Sequence, residues 1–333
     1  MAERNHWGYI RQSGGPRAAD LFRRLDLRFI NFVEGLPDPL RTVARCESTF
    51  SGRRTGRDFP GLRSLNPALI GTPWLFWEAF TTLPDDQILD IAEAGMLYVL
   101  ASVIMDHIID RQVENPESAA LLHQAFCEGG IAKYRRIFQT GSPFWDHFDR
   151  LTADQQEGLA IELDMQSNPR RMDITSFRGL TYGKVAPMVI TVAALATAAD
   201  RLELLPALED ALELISIASQ LLDDVEDWRS DFDKGHMTYF LGQLMCHPLI
   251  ENTGNRSVVE LQSVLGRSWL DVDHLRQVLD WLDRSIEVVQ DLQCRAWVDY
   301  VDGYKRLADK YLTLATADHL LGLLEPLVSP IED

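Results

Sequence analysis

The sequence predicts an all-α protein, a single large helical bundle spanning residues 1–333. Three observations carry this. Apolar residues recur at helical spacing almost throughout, and strand-like alternation is hard to find. Turn-formers cut the chain into about ten long segments, with no low-complexity linker and no repeat of fixed period.

The elements follow in order. Leu21 to Leu36 reads as an amphipathic helix, stopped by Gly35 and the Pro37–Pro39 turn. Residues 50–73, rich in glycine and proline, read as a loop. Pro84-Asp85-Asp86 opens a long helix to about Gln112. Further helices fit 117–139, 143–166, 172–199, 205–230, 235–248, 256–266, 271–296 and 298–324. Turn-formers such as Gly141-Ser142-Pro143, Asn168-Pro169 and Asn252-Thr253-Gly254 separate them. Several of these helices are apolar on more than one face, as helices buried within a bundle are.

Composition limits the partners. Hydrophobic residues make up 46% and charged residues 25%, ordinary for a globular protein with one large core. A net charge of −18 argues against nucleic acid or an anionic membrane as the main partner, since both select a basic face. An anionic ligand would need local basic groups or metal ions. Cys46, Cys127, Cys246 and Cys294 show no CxxC spacing and read as reduced thiols of a cytoplasmic protein. Met1 to Gly15 lacks the apolar stretch of a signal peptide. The uncharged run Val185–Ala199 is shorter than the roughly 20 residues of a bilayer span, so a buried core helix is expected and no membrane span.

Two aspartate clusters carry the chemistry. In the first, Asp106 and Asp110 stand four apart, so on a helix their carboxylates share one face. The run before them, Met96 to Met105, is uncharged, which puts two repelling acids at the end of an apolar helix. Charge there is costly unless it binds a cation. In the second, Asp223, Asp227 and Asp231 fall at i, i+4 and i+8, with Gln220 and Asp224 beside them and an apolar helix leading in. Magnesium takes a few carboxylates, retained waters and phosphate oxygens. Two such stripes facing each other would hold several Mg2+ ions against a diphosphate. Either cluster alone is equally a solvated helix face; the pair, each ending an apolar helix, is harder to assign to chance.

These residues resemble the class I isoprenoid synthase superfamily, shared by trans-prenyl diphosphate synthases and class I terpene synthases. Asp106-His107-Ile108-Ile109-Asp110 is similar to the family's first motif, DDxxD, with His107 in place of the second acid. Gln220 to Asp227 is similar to the second prenyl synthase motif, QxxDDxxD, and is the more specific match. The resemblance runs from about residue 85 to residue 250. It implies a bundle with a central active-site cavity, and Mg2+, about three ions, bound with a prenyl diphosphate. Asp106, Asp110, Asp223, Asp224 and Asp227 are then the metal ligands. Lys184 sits where the family has a diphosphate-binding lysine, and Arg178 near the place of a diphosphate-sensing arginine. Lys234 resembles a third phosphate contact, although the usual Gly-Lys order is reversed as Lys234-Gly235. Lys305 and Arg306 are weaker candidates for closing the site. Relatives commonly pair, so a homodimer is open.

Chain-elongating members bind a second diphosphate through a Gly-Gly-Lys-Arg segment and paired arginines after the first motif. Here Gly52-Arg53-Arg54 is an imperfect match, and Arg111 stands alone after Asp110. The expectation is therefore a noncanonical terpene synthase that ionises one C15 or C20 prenyl diphosphate and cyclises or rearranges the cation. The alternative is a prenyltransferase, elongating a chain or prenylating another acceptor. Trp74, Phe76, Trp77 and Phe80 are candidates to line a dry cationic pocket, and equally candidates for plain core packing. Gly95, Tyr98, Val99 and Ser102 project below Asp106; Gly95 and Ser102 leave room, and Tyr98 is the expected floor. His107 is open between metal ligand, general base and ordinary helix residue.

Overall fold

The computed structural model describes residues 7–51, 58–59, 61–65, 67–168, 170–250 and 257–328. Four helices precede the first motif helix: α1 (Trp7–Glu34), α2 (Asp38–Ala44), α3 (Glu47–Ser51) and α4 (Pro67–Leu75). Five long ones form the body: α5 (Asp85–Ile109), α6 (Pro116–Ile137), α7 (Pro143–Ser167), α8 (Ile174–Ala198) and α9 (Leu205–Lys234). α10 (Tyr239–Met245), α11 (Val258–Ser268), α12 (Leu270–Glu287) and α13 (Arg295–Val328) close the bundle. Among the described residues no strand forms, and the one extended pairing is an isolated bridge between Cys46 and Asp58. The all-α class holds.

Boundaries shift in three places. α1 begins at Trp7, well before the expected Leu21. Part of the expected loop over 50–73 is helical, because Pro67 stands at the first position of α4, where a missing N–H costs nothing; residues 52–57, 60 and 66 lie outside the described residues. α12 stops at Glu287 instead of 296, and Gln293 takes a positive φ of 54° between it and α13.

α5 and α8 are the central helices. Each has 25 residues and is long and apolar enough to cross a membrane, but 78% of each apolar window is buried inside the protein. Their composition is that of helices surrounded by other helices. Where they meet, Gly95 has no side chain because Thr191 occupies that space; a Cβ on Gly95 would lie 2.2 Å from Thr191 Oγ1. Gly95 therefore brings α5 against α8 and opens no cavity. α7 and α8 touch backbone to backbone at Gly158 and Gly183, where a Cβ on Gly183 would sit 2.6 Å from Gly158 Cα.

Ion pairs fix the outside. Arg28 of α1 reaches Asp90 at 2.6 Å and Glu93 at 2.9 Å on α5, and Lys133 of α6 reaches Glu93 at 2.6 Å. On the opposite side Arg150 of α7 meets Glu209 of α9 at 2.8 Å, with the Tyr182 hydroxyl donating to the same carboxylate. These contacts hold the helices whose ends carry the aspartates.

The glycine contact makes a testable statement. Gly183→Ala forces α7 and α8 apart at a backbone contact, an overpacking cost of about 1–3 kcal/mol. A fall in melting temperature of roughly 2–10 °C is expected in thermal denaturation. An unchanged melting temperature would show that the two helices do not approach so closely.

Candidate active site

The two aspartate clusters lie at the C-terminal ends of α5 and α9. Both helices stop in the same way. Past α5, Arg111 adopts a positive φ of 57°, its N–H bonds Ile108 O at 3.1 Å, and Gln112 N bonds His107 O at 2.9 Å. Past α9, Gly235 has a φ of 71°, its N–H bonds Phe232 O at 3.1 Å, and His236 N bonds Asp231 O at 2.8 Å. This double bond pattern with a left-handed residue is a Schellman stop. At Arg111 a side chain occupies a conformation that costs about 1–2 kcal/mol outside glycine. Carboxylates at a helix C-terminus also face the negative end of the backbone dipole. Two independent helices thus accept unfavourable charge at the same place.

That place is one cavity of about 590 Å³. Asp106, Asp110, Asp223, Asp224, Asp227 and Asp231 line it, against Lys184, Lys234 and Arg111. Gln166, Gln220 and His236 complete the wall. The cavity is open, polar and strongly acidic.

Lys184 is its centre. It stands on α8 one residue after Gly183, and its Nζ lies 3.0 Å from Asp106 and 2.6 Å from Glu162 of α7. Glu162 follows Gly158 by one helical turn, so the glycine contact sets this ion pair. Burial opposes the ammonium, but Asp106 and Glu162 outweigh it and hold Lys184 above its usual range. Burial also opposes ionisation of Asp106, but the charge of Lys184 wins and keeps that carboxyl below its ordinary value. Asp110 and Glu162 go the other way: burial raises both, and the charge of Asp106 adds to it.

Each remaining candidate has a definite place. Asp110 accepts from Gln166 Nε2 at 3.0 Å. Asp224 points inward; Gln220 donates to it at 2.9 Å, and the N–H groups of Tyr239 and Phe240 donate at 3.1 and 3.4 Å. Its oxygens thereby hold the start of α10, and burial lifts its pKa to about 7. His107 directs Nδ1 to Thr49 O of α3 at 3.0 Å and also lines the cavity.

Others lie elsewhere. Arg178 is six residues from Lys184, on another face of α8, where it donates to Glu213 at 2.6 Å. Lys305 pairs with Asp283 at 2.5 Å, and neither it nor Arg306 lines the cavity. Trp77 packs under the Arg17 guanidinium at 4.9 Å, ahead of α5, whose 25 residues span about 37 Å to the aspartates. Trp74 packs on Phe22, and Phe76 stacks on Trp297 at 4.6 Å, so these rings are core. Ser102 accepts from Gln155 at 3.0 Å, and the Tyr98 hydroxyl meets Thr152 at 3.3 Å. Both side chains are turned to α7, and neither lines the cavity.

Glu162, Gln166 and His236 carry no motif, and nothing in the sequence marks them apart from the i, i+4 spacing of the first two. His236 lies 3.6 Å from Asp231, which raises its pKa against the effect of burial.

No protein-family model matches the chain, and no curated protein matches its sequence. Solved structures match it over nearly its full length. The heptaprenyl diphosphate synthase of Staphylococcus aureus is 14% identical, with a TM-score of 0.61 over 90% of this chain and 97% of that one. A geranylgeranyl pyrophosphate synthetase from the archaeon Geoglobus acetivorans is 13% identical, with a TM-score of 0.64 over 88% and 98%. The chain has the isoprenoid synthase fold. A geranylgeranyl pyrophosphate synthase from Corynebacterium glutamicum is similar as well, at 13% identity and a TM-score of 0.62 over 93% and 98%.

The isoprenoid synthase fold implies divalent metal, and the residues present fit it. Asp106, Asp110, Asp223 and Asp227 offer hard oxygen donors in a cavity with a large excess of acid. Among the described residues no three His, Cys, Asp or Glu groups converge into a ready-made metal cage.

Asp224 gives a pH test. Its folded pKa of about 7 lies above the unfolded value, so its stabilising contribution is present at low pH and lost as pH rises through 7. In EDTA, the parent is expected to lose melting temperature between pH 5 and pH 8 more steeply than Asp224→Asn does. A difference independent of pH would contradict the raised pKa of Asp224.

Proposed function

We propose that this chain is a Mg2+-dependent prenyltransferase that binds an allylic prenyl diphosphate in the acidic cavity and transfers its prenyl group to an acceptor. One observation carries the reading: a single cavity joins both aspartate clusters with Lys184 and Lys234. The names of the fold's solved neighbours, heptaprenyl and geranylgeranyl diphosphate synthases, favour transfer over the cyclisation expected from the sequence.

The chemistry follows from charge. Mg2+, when bound, would neutralise the diphosphate and stabilise the charge growing on it as the allylic C–O bond breaks. Asp106, Asp110, Asp223 and Asp227 would hold it. Lys184 is drawn between Asp106 and Glu162, and a diphosphate in the cavity competes for its three N–H donors. Lys234, at the end of α9, supplies a second positive charge to the wall. The prenyl tail runs down between α5 and α7, where Ser102–Gln155 and Tyr98–Thr152 limit its depth. Among the described residues Arg111 is the one arginine of the cavity wall.

Purified protein with Mg2+ and farnesyl or geranylgeranyl diphosphate is expected to release pyrophosphate, and Asp223→Ala to lower the rate by about 100-fold or more. Release without Mg2+, or unaffected by this substitution, would defeat the reading. Tyr98→Ala is expected to extend the longest prenyl chain accepted, measured as relative kcat/KM across geranyl, farnesyl and geranylgeranyl diphosphates. An unchanged preference would remove Tyr98 from the floor.

A further inference from the structure

Beside the main cavity lies a nook of about 40 Å³. Its apolar side is Met165, Met172, Leu180 and Phe177, the last stacked on Tyr239 at 4.5 Å. Lys184, Gln166 and Gln220 line both this nook and the main cavity, and Glu162 lines the nook alone. Glu162 is only 5% exposed, yet its Oε2 has no hydrogen-bond partner among the described residues, while Oε1 pairs with Lys184. A buried carboxylate oxygen left in that state costs on the order of 1–3 kcal/mol or more, so it points to a ligand.

The lining also states what kind of ligand. Gln166 directs its amide N–H to Asp110, and Gln220 directs its own to Asp224. That leaves their carbonyl oxygens as acceptors beside the donors Lys184, His236 and Thr238 of the same lining. The one unpaired atom there among the described residues, Glu162 Oε2, is an acceptor and selects a donor. A water needs about 10–15 Å³ of such space, so the nook admits a water molecule or the hydroxyl end of a small alcohol, and no bulky group.

We propose that the nook holds the acceptor hydroxyl of the transfer reaction, with Glu162 as its base. The inference rests on the prenyl-transfer reading and names its acceptor class. The allylic C–O bond breaks and its electron pair leaves with the diphosphate. A lone pair of the hydroxyl oxygen forms the new C–O bond at the same allylic carbon. The hydroxyl proton passes to Glu162 Oε2 and from there to solvent. The product is a prenyl alcohol when water is the acceptor and a prenyl ether when an alcohol is. Burial holds Glu162 above its ordinary range, which suits it to take up a proton.

The test is run on the whole protein with Mg2+ and geranylgeranyl diphosphate in 18O-water, with and without ethanol, and with isopentenyl diphosphate as a competing acceptor. Pyrophosphate release and prenyl products are measured together, with Asp223→Ala as the background for uncatalysed solvolysis. The expected result is prenyl alcohol carrying 18O, and prenyl ethyl ether once ethanol is present. Glu162→Gln, which keeps an oxygen for Lys184, should lower the fraction of released prenyl groups found in these products by about 100-fold. Glu162→Asp should recover part of it. No pyrophosphate release from the parent overturns prenyl transfer and this inference together. Release with only hydrocarbon or elongated diphosphate overturns the hydroxyl acceptor alone. An alcohol fraction unchanged in Glu162→Gln, or a Mg2+ requirement that shifts in its place, overturns Glu162 as the base. Circular dichroism of both variants separates misfolding from these outcomes.

Discussion

The site depends on one lysine held between two carboxylates under a roof of further acid. Lys184 can occupy that position only because Gly183 and Gly158 let α7 and α8 meet at backbone distance. Any side chain there would move Glu162 away from Nζ. A buried ammonium is costly unless paired, and a buried carboxylate likewise. Here each is acceptable because of the other. Asp106 is then tied to the same charge from α5, so three helices are registered by one ion cluster.

The remainder of the fold places charge where no helix favours it. α5 and α8 are apolar enough to be largely buried, and they bring the C-terminal acids of α5 and Lys184 of α8 to the cavity. α5 and α9 both stop in left-handed turns past their acids. Asp106, Asp110 and Asp231 lie at the negative ends of the two backbone dipoles, with Asp227 and Asp223 about two and three turns before the end of α9. Lys184 offsets only part of that charge, and its own is already divided between Asp106 and Glu162. The outer ion pairs of Arg28 and Arg150 tie the N-terminal halves of α5 and α9 to their neighbours, at the other end from the acids. In the proposed reading, divalent cations entering with the diphosphate would offset the charge of those acids.

Much of this was legible in the sequence, and particular residues show why the rest was not. The i, i+4, i+8 stripe of Asp223, Asp227 and Asp231 is a local property of one helix, and the long helices were local too. Arg178 and Lys184 were both candidates in motif terms, Lys184 the stronger, yet six residues at about 100° each set them about 120° apart around α8. That arithmetic separates them once the helix is accepted. Trp74 to Phe80 were near the motif helix in sequence but at its far end in space. Gly95 read as room and is filled by Thr191, because a missing side chain marks close packing as often as a cavity. Glu162, Gln166 and His236 became visible only when α7 and the α9–α10 turn were folded against α8. Asp224 belongs to the motif in sequence, and in space it anchors α10.

The central claim is that this cavity is too acidic to take a diphosphate without divalent cations. Calorimetric titration of the purified protein with inorganic pyrophosphate, in EDTA and in Mg2+, tests it most directly. The account predicts binding in Mg2+ and none in EDTA, with proton exchange accompanying the Mg2+-dependent event. Equal binding in both would contradict it, because Lys184 and Lys234 would then suffice against six aspartates.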